Sequence, residues 1–404
     1  MTTSRFPSEP GAPAESSVGR PSRAYDAAMA LLVLIVLSVH LAIANLPNNA
    51  FIFDEAYYVP AARALLLGIP SNLEYPPLAK LLIALSIKVF GDVTIAWRLP
   101  SILFGTLAIP VLYLLTRTLA DRKTALIAAF LLSFESLWFI HSSIAMLDIA
   151  AVSLALLALL FFVRREWVWA GALLGLSMLA KEMTVLLLVV LPLFTLLQAP
   201  NTRSRNAWAH AMKVGSFVAV SALVVFMAGL QIYDSAYNAF PTSFDHVARM
   251  FRHNQAIAAP PASDAVRPFQ WFSGYAPAGY LLTFADIGNG VKRYYVQYFG
   301  QPNLVIVLLA WLAVPFSIPR LGRKDPNATL HLLLLLVPLV FFLGLAQWRV
   351  TYPYYILICI PSLCVLCATF LAQFPRAVIL TFGLGVVMWF LIWFPRNLLT
   401  LGMK

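Results

Sequence analysis

The sequence is poor in charge. Only 11% of its 404 residues are Asp, Glu, Lys or Arg, where an average soluble chain carries about 25%. Too little charged surface exists to keep a globular domain of this length dispersed in water. Cysteine is scarce as well: Cys359, Cys364 and Cys367 are the only three, and all fall in one apolar run. A disulfide scaffold and a cysteine metal cage are thereby excluded. A Cys-x-x-Cys on an apolar helix lacks the electropositive setting that makes a thiol reactive, so these read as small buried apolar side chains. Strict alternation of polar and apolar residues is missing, which excludes a membrane β-barrel. What is present is apolar: 61% of the chain, with a mean hydropathy of +0.82. Unbroken apolar runs recur from residue 27 to residue 394, and about 20 such residues cross a hydrocarbon core of roughly 30 Å as a helix. The fold class is an all-α polytopic membrane protein.

The net charge of +11 would point to nucleic acid in a soluble protein. Here it reflects basic residues at helix ends, which orient the chain in the bilayer, and no nucleic-acid partner is expected. Residues 1–25, rich in Pro, Ser, Gly and Arg, read as a disordered cytoplasmic tail, leaving 26–404 as the transmembrane domain. The first run, 27–46, ends in Ala42-Ile43-Ala44 like a signal-peptidase site but is long enough for an uncleaved anchor. Ten further spans fit 98–118, 124–141, 146–163, 167–181, 183–199, 212–230, 303–318, 329–346, 352–371 and 377–394, about 11 crossings in all.

The short connections 117–123, 164–166, 200–213 and 319–326 are all basic and fall on one side with Arg5, Arg20 and Arg23. The positive-inside rule makes that side, and the N-terminus, cytoplasmic. The opposite face receives two long segments, 47–97 and 231–302, and 11 of the 17 acidic residues. Acids at membrane depth are costly and line functional cavities, so the chemistry is expected on the extracytoplasmic face. The sequon Asn327-Ala328-Thr329 falls on the cytoplasmic side and should be inert.

Segment 47–97 has internal structure. Asp54 is placed to cap a helix reaching Leu67, which Gly68 and Pro70 end. Pro76-Pro77 opens a second helix to Phe90. Both carry apolar faces interrupted by Arg63, Lys80 and Lys88, the pattern of interfacial helices whose basic side chains reach the headgroups. The segment 268–302 is rich in aromatics, among them Trp271, Tyr275, Tyr280, Tyr294, Tyr295 and Tyr298. It reads as an interfacial belt, a lid over a ligand, or both. His246 and His253 in the outer loop are expected to be solvent-exposed, and His141 to be a satisfied polar residue rather than a metal ligand.

Asp54-Glu55 admits two readings on its own. One is a capping Asp followed by a favourable first-turn Glu; the other is a pair of functional carboxylates near the aqueous boundary. Glu74-Tyr75-Pro76-Pro77-Leu78-Ala79-Lys80, Trp97-Arg98-Leu99-Pro100, Glu135, Met146-Leu147-Asp148 and Gly175 through Lys181 then follow in order. With these, the chain resembles the protein O-mannosyltransferase family of the GT-C fold, whose members use a dolichyl-phosphate-linked sugar. The family's Asp-Glu matches Asp54-Glu55. Its Pro-Pro-Leu-x-Lys matches Pro76 to Lys80, its Arg-x-Pro matches Arg98 to Pro100, and its Leu-Asp matches Leu147-Asp148. More loosely, Gly300-Gln301-Pro302-Asn303 resembles its Gly-Asn-Pro, and Arg349 with Tyr352, Tyr354 and Tyr355 resembles its Arg before a Tyr-rich helix start. Tyr75 stands where the family usually has His, and Glu182 where it has Trp; the large outer insert of eukaryotic members is absent.

The resemblance implies an inverting transferase. A sugar on a polyprenyl phosphate already has a good leaving group, so the site must hold the phosphate and deprotonate an attacking hydroxyl. Asp54 is the expected base, with Glu55 positioning it or binding an acceptor group. Lys181, Arg349 and then Arg98 are the expected phosphate cations. Glu74, Tyr75, Lys80, Glu135, Asp148 and Glu182 are candidates for sugar or acceptor recognition; for Glu135 and Asp148, pairing with Arg98 or capping is the competing reading. No His/Asp/Glu spacing makes a metal site, no cofactor is required, and a divalent cation between Glu55 and the phosphate is left open. The expected partners are membrane lipid, a polyprenyl- or dolichyl-phosphate sugar donor, with mannose the family's sugar, and a Ser or Thr hydroxyl of a protein acceptor. Lipid A, wall polysaccharide or a lipid glycan is the alternative acceptor. A transporter or flippase is the reading from another class, against which stand the absence of an internal repeat and the gathering of charges at one face. The expected location is a prokaryotic plasma (inner) membrane with the site facing outward.

Overall fold

The computed structural model describes residues 19–46, 50–257, 270–271, 278–286 and 292–399. It is a helical membrane bundle: α1 (Gly19–Ile43), α2 (Glu55–Leu66), α3 (Leu78–Phe90), α4 (Thr94–Leu119), α5 (Arg122–Ser133), α6 (Ser136–Ser143), α7 (Leu147–Val163), α8 (Trp167–Ala180), α9 (Leu187–Gln198), α10 (Arg205–Tyr237), α11 (Ser243–Ala256), α12 (Leu304–Gly322), α13 (Pro326–Leu345), α14 (Ile360–Leu371) and α15 (Arg376–Leu399). Between α11 and α12 an antiparallel hairpin joins β1 (Ala278–Asp286) to β2 (Lys292–Gly300). Each apolar stretch read from the sequence has a helical counterpart. Among the described residues five helices are long and apolar enough to cross a bilayer, and α5 with α6, bent by 60° at their junction, makes a sixth. The remaining apolar helices, including α7, α8 and α14, are shorter, so length and composition support fewer crossings than the expected 11.

Helix starts follow the local chemistry. Asp121 caps α5 by accepting from the Thr124 amide at 2.9 Å, and Ser204 caps α10 through the Ala207 amide at 3.1 Å. Thr242 and Asp245 form a reciprocal capping box on α11. Asp325, followed by Pro326 in the first turn, opens α13. The tail expectation is corrected in part: α1 begins at Gly19, not after residue 25, because Pro21 sits in the first turn, where its missing N–H costs nothing. Asp26 is thereby on the helix, accepting from Tyr113 at 3.0 Å and Arg117 at 3.5 Å.

The core is built around α4, α7, α8 and α10. Gly171 and Gly175, one turn apart on α8, let α10 approach to backbone contact; a Cβ at either would lie 2.5 Å from the carbonyl oxygens of Val218 and Ala222 respectively. Such small-residue stripes replace the hydrophobic effect as the packing device in lipid. Cys359, Cys364 and Cys367 are unpaired and buried, as expected. Asn327 of the sequon is buried and donates to Thr369 Oγ1 at 2.9 Å, an amide engaged in helix packing.

α2 and α3 form as anticipated, bounded by Gly68 (φ +75°) and Pro77. Their basic residues behave differently. Arg63 reaches Asp92 at 2.8 Å over the Trp97 ring, whereas Lys80 is buried. The described parts of the outer segment 231–302 hold regular elements: α10 continues to Tyr237, where Asn238 in the left-handed region (φ +50°) ends it, and α11 follows it. The expected exposure of His246 and His253 is corrected. His246 is fully buried, its Nδ1 at 2.8 Å from Asp234 Oδ1, and His253 lies half-buried with its ring against Tyr75. Of the aromatic stretch, Trp271 packs on Phe342 and Tyr355 and Tyr280 is buried; Tyr275 lies outside the described residues.

Candidate active site

The site starts with a turn. Phe53 has φ +53°, a conformation that costs a side-chain-bearing residue on the order of 1–2 kcal/mol. It reverses the chain just before α2, so that Asp54 occupies the N-cap position with helical backbone angles. In that geometry its carboxylate makes no cap hydrogen bond. The capping reading of Asp54 is therefore set aside: the side chain turns inward and accepts from the Tyr58 hydroxyl at 3.3 Å.

Glu55 takes the opposite course. Fully buried, it accepts from the Ile52 amide and Arg98 Nη2 on Oε2, at 2.8 and 2.9 Å, and from the Ala145 amide and Arg98 Nε on Oε1, both at 2.8 Å. Four bonds fill its lone-pair directions, leaving none for an acceptor or a divalent cation. Arg98 is equally committed. Its fork grips Glu55, and its remaining N–H groups donate to the carbonyls of Ala44, Leu46 and Ala50 at 3.0, 2.7 and 3.4 Å. All five donors are spent inside the protein, which argues against the expected role of Arg98 in binding the donor phosphate. Among the described residues no group of three or more His, Cys, Asp or Glu side chains is spaced to hold a metal ion.

Two more of the expected ligand-binding residues bond to the protein itself. Lys80 donates to the Asn72 carbonyl and, at 2.9 Å, to the Tyr75 carbonyl, fixing the 72–75 turn from beneath. Burial pushes its ammonium down to about 7, with Glu74 opposing. Glu135 sits at the α5–α6 break, caps α6 through the Trp138 amide at 2.7 Å and accepts from the Asn303 amide at 2.7 Å. That ties the break to the start of α12. Glu74 accepts from Asn72 at 2.8 Å.

Groups with unused capacity remain, and two of them, Lys181 and Asp148, act on Asp54. Lys181, in extended backbone just after α8, has its Nζ 3.9 Å from Asp148 Oδ1 and 4.3 Å from the centre of the Tyr75 ring. Asp148, in the first turn of α7, is fully buried, and neither carboxylate oxygen has a hydrogen-bond partner. Glu182 Oε2 is likewise buried without one. Arg349 is anchored by Asn254 and by the Tyr355 hydroxyl at 2.8 Å, and that hydroxyl also feels Lys181. Asp54 lies in the same field. Burial raises its carboxyl to about 6; Lys181 opposes that rise, Asp148 adds to it, and the Tyr58 hydrogen bond offsets part. Asp54, Tyr75, Asp148, Lys181, Glu182 and Arg349 are among the candidates read from the sequence, there mixed with Glu55, Glu74, Lys80, Arg98 and Glu135, while Tyr58, Tyr280 and the strained Phe53 are not. A Tyr one helical turn after Asp54 was the available signal for Tyr58.

A family model described as dolichyl-phosphate-mannose-protein mannosyltransferase matches residues 74–227. Over that stretch, less than half of the chain, the sequence is similar to these mannosyltransferases. A polyprenol-phosphate-mannose–protein mannosyltransferase of Corynebacterium glutamicum is 36% identical over 115 residues, which is 25% of this chain and 22% of that protein. ArnT from Cupriavidus metallidurans, in a crystal structure bound to undecaprenyl phosphate, superposes with a TM-score of 0.60 at 17% identity, over 88% of this chain and 61% of its own. An oligosaccharyltransferase of Archaeoglobus fulgidus gives 0.55 at 14% identity over 92% and 55%. At such identities the structural likeness is one of fold, and the expected GT-C architecture is the one observed. The chain spans about a fifth of the bacterial mannosyltransferase and about three fifths of ArnT.

Proposed function

We propose that this protein is an inverting glycosyltransferase that takes a sugar, mannose by family, from a polyprenyl or dolichyl phosphate. It passes the sugar to an outward-facing hydroxyl, on Ser or Thr of a protein, at the extracytoplasmic face of a plasma membrane. The observation that carries this reading is the carboxylate of Asp54: released from capping, half-buried, and set in one field with Lys181 and the unpartnered Asp148.

The residues divide the work as follows. The ionised Asp54 takes the proton of the acceptor hydroxyl as its oxygen bonds the anomeric carbon, and the bond from that carbon to the phosphate oxygen breaks with its electrons on phosphate. A positioned base contributes about 10²–10⁴-fold. Lys181 supplies a point charge and Arg349 a directional donor to the phosphate as it gains charge. Asp148 accepts from hydroxyls of the sugar or the acceptor, which satisfies the oxygens now without partners. Glu55 and Arg98 act only by holding the turn that presents Asp54.

Asp54→Asn keeps shape and removes the base. Purified protein in lipid vesicles, given labelled polyprenyl-phosphate mannose and a Ser/Thr-rich peptide, should transfer label, and Asp54→Asn should transfer none while eluting as a folded species. Full transfer by that variant removes Asp54 from the mechanism. Label entering a lipid or glycan fraction instead of peptide would move the acceptor to the alternative class, which Tyr75 in place of the family's His favours.

A further inference from the structure

The hairpin β1–β2 reaches into the site through one residue. Tyr280 is buried, and the strand register skips it: Gly279 pairs with Phe299 and Leu281 with Tyr298, leaving Tyr280 as the extra residue of a bulge. A bulged residue is released from the ladder and free to bond elsewhere. Its carbonyl accepts from the Phe53 amide at 3.0 Å, and its ring stacks on the Phe53 ring at 4.1 Å and 12°. Its hydroxyl lies 2.7 Å from His141 Nε2. The ring passes directly over Gly300, where a Cβ would fall inside it. Two of these contacts hold Phe53, the residue that adopts the left-handed turn preceding Asp54, and the other two, to His141 and Gly300, fix the Tyr280 ring, across more than two hundred residues of chain.

We propose that Tyr280 is the positioning residue for the base: by clamping Phe53 in its left-handed conformation, the hairpin bulge aims Asp54 into the site and away from its own helix end. The clamp is needed because Phe53 relaxes to ordinary backbone angles when the stack and the amide bond are lost. Asp54 then swings back to the N-cap role that its sequence position favours, bonding the first-turn amides of α2. This rests on the reading of Asp54 as the base. The titratable and charged groups facing Asp54 are Tyr58 on its own helix, Tyr75, Asp148, Lys181, Tyr280 and Tyr354. None of these leaves the site when the clamp opens except Tyr280.

The test reads Asp54 with and without catalysis. Carbodiimide labels the protonated carboxyl, so labelling of the Asp54 peptide against pH, followed by mass spectrometry, reports its titration directly. Wild type should show a midpoint near 6. In Tyr280→Ala, and in Gly300→Ala, which displaces the ring without deleting it, the midpoint should fall toward 3.8, its unshifted value. The conservative Tyr280→Phe keeps the stack and the backbone bond and should restore the wild-type midpoint. With donor and acceptor, Tyr280→Ala should lower kcat about 10²-fold, the cost of misplacing a catalytic group by about 1 Å, with the KM for lipid donor unchanged and most of the rate recovered in Tyr280→Phe. A folded Tyr280→Ala protein with the wild-type midpoint and kcat overturns the inference while leaving the transferase reading intact. A shifted midpoint in a protein whose wild type transfers no sugar overturns the transferase reading and leaves the clamp standing.

Discussion

Removing the Arg98 guanidinium separates a structural cation from a substrate-binding one. In Arg98→Met the side chain keeps its length and loses five donors. Glu55 retains its bonds to the Ile52 and Ala145 amides but stands as an unneutralised carboxylate that is fully buried. The carbonyls of Ala44, Leu46 and Ala50 lose the donors that fold the end of α1 toward α2. Removing one partner of a buried ion pair costs about 3–5 kcal/mol, mostly the penalty of the charge left behind. Neutralising that charge as well, in Glu55→Gln with Arg98→Met, should therefore recover part of the loss rather than add to it. Arg98→Lys, which keeps a charge but not the fork, should fall between the two. Unfolding in detergent micelles, followed by near-UV circular dichroism as denaturant is added, measures all three. A phosphate-binding Arg98 would give the reverse pattern: stability within about 0.5 kcal/mol of wild type, as for a substitution with no structural partner, and a raised KM for the lipid donor. That outcome refutes the assignment of Arg98 to the frame.

The pH dependence follows from Asp54. Its carboxyl, raised to about 6 by burial, must be ionised to serve as the proposed base, so kcat should fall about tenfold per pH unit below that value and level off above it. Stability runs the other way. The folded state holds this proton more tightly than the unfolded chain, so the group weighs against the fold at neutral pH and ceases to as pH drops through about 6. Asp54→Asn should accordingly be more stable than wild type at pH 7 and lose that advantage near pH 4, as read by unfolding midpoints at both values. Glu135→Ala should cost about 1–3 kcal/mol by stranding the Trp138 and Asn303 amides, with kcat per folded molecule unchanged; a selective fall in kcat would return Glu135 to the substrate.

The apolar helices were legible because hydropathy is local: a run of about 20 apolar residues states its own environment. The first-loop helices were legible for the same reason, since Gly68, Pro70 and the Pro76-Pro77 pair mark their ends within a few residues. The functions of Arg98, Lys80 and Glu135 were not. Each is a charge near the extracytoplasmic face in the right order along the chain, and so was Lys181. What separates them is where their hydrogen bonds go, and the partners are remote. Glu135 meets Asn303 from 168 residues away, and Arg98 meets Glu55 from 43. Tyr280 lay further out of reach. Its role depends on a bulge and on a glycine in the opposite strand, neither of which carries a pattern in the sequence.

Bonding capacity, more than charge, locates the site. A buried polar group without a partner costs free energy, and the penalty grows where no water competes to supply one. Glu55, Arg98, Lys80 and Glu135 escape it by spending their donors and acceptors on backbone or on each other. Asp148 does not: both oxygens are buried and unbonded, and its nearest cation, at 3.9 Å, is beyond hydrogen-bonding distance. Lys181 could move closer to it, but the Tyr75 ring already holds the ammonium at 4.3 Å on the other side. A fold that satisfies Glu55 and Glu135 at this face with short bonds gains nothing by leaving Asp148 and Lys181 apart unless something else completes them. A ligand with hydroxyls for Asp148 and negative charge for Lys181 does so, and a sugar joined to a phosphate has both on adjacent atoms.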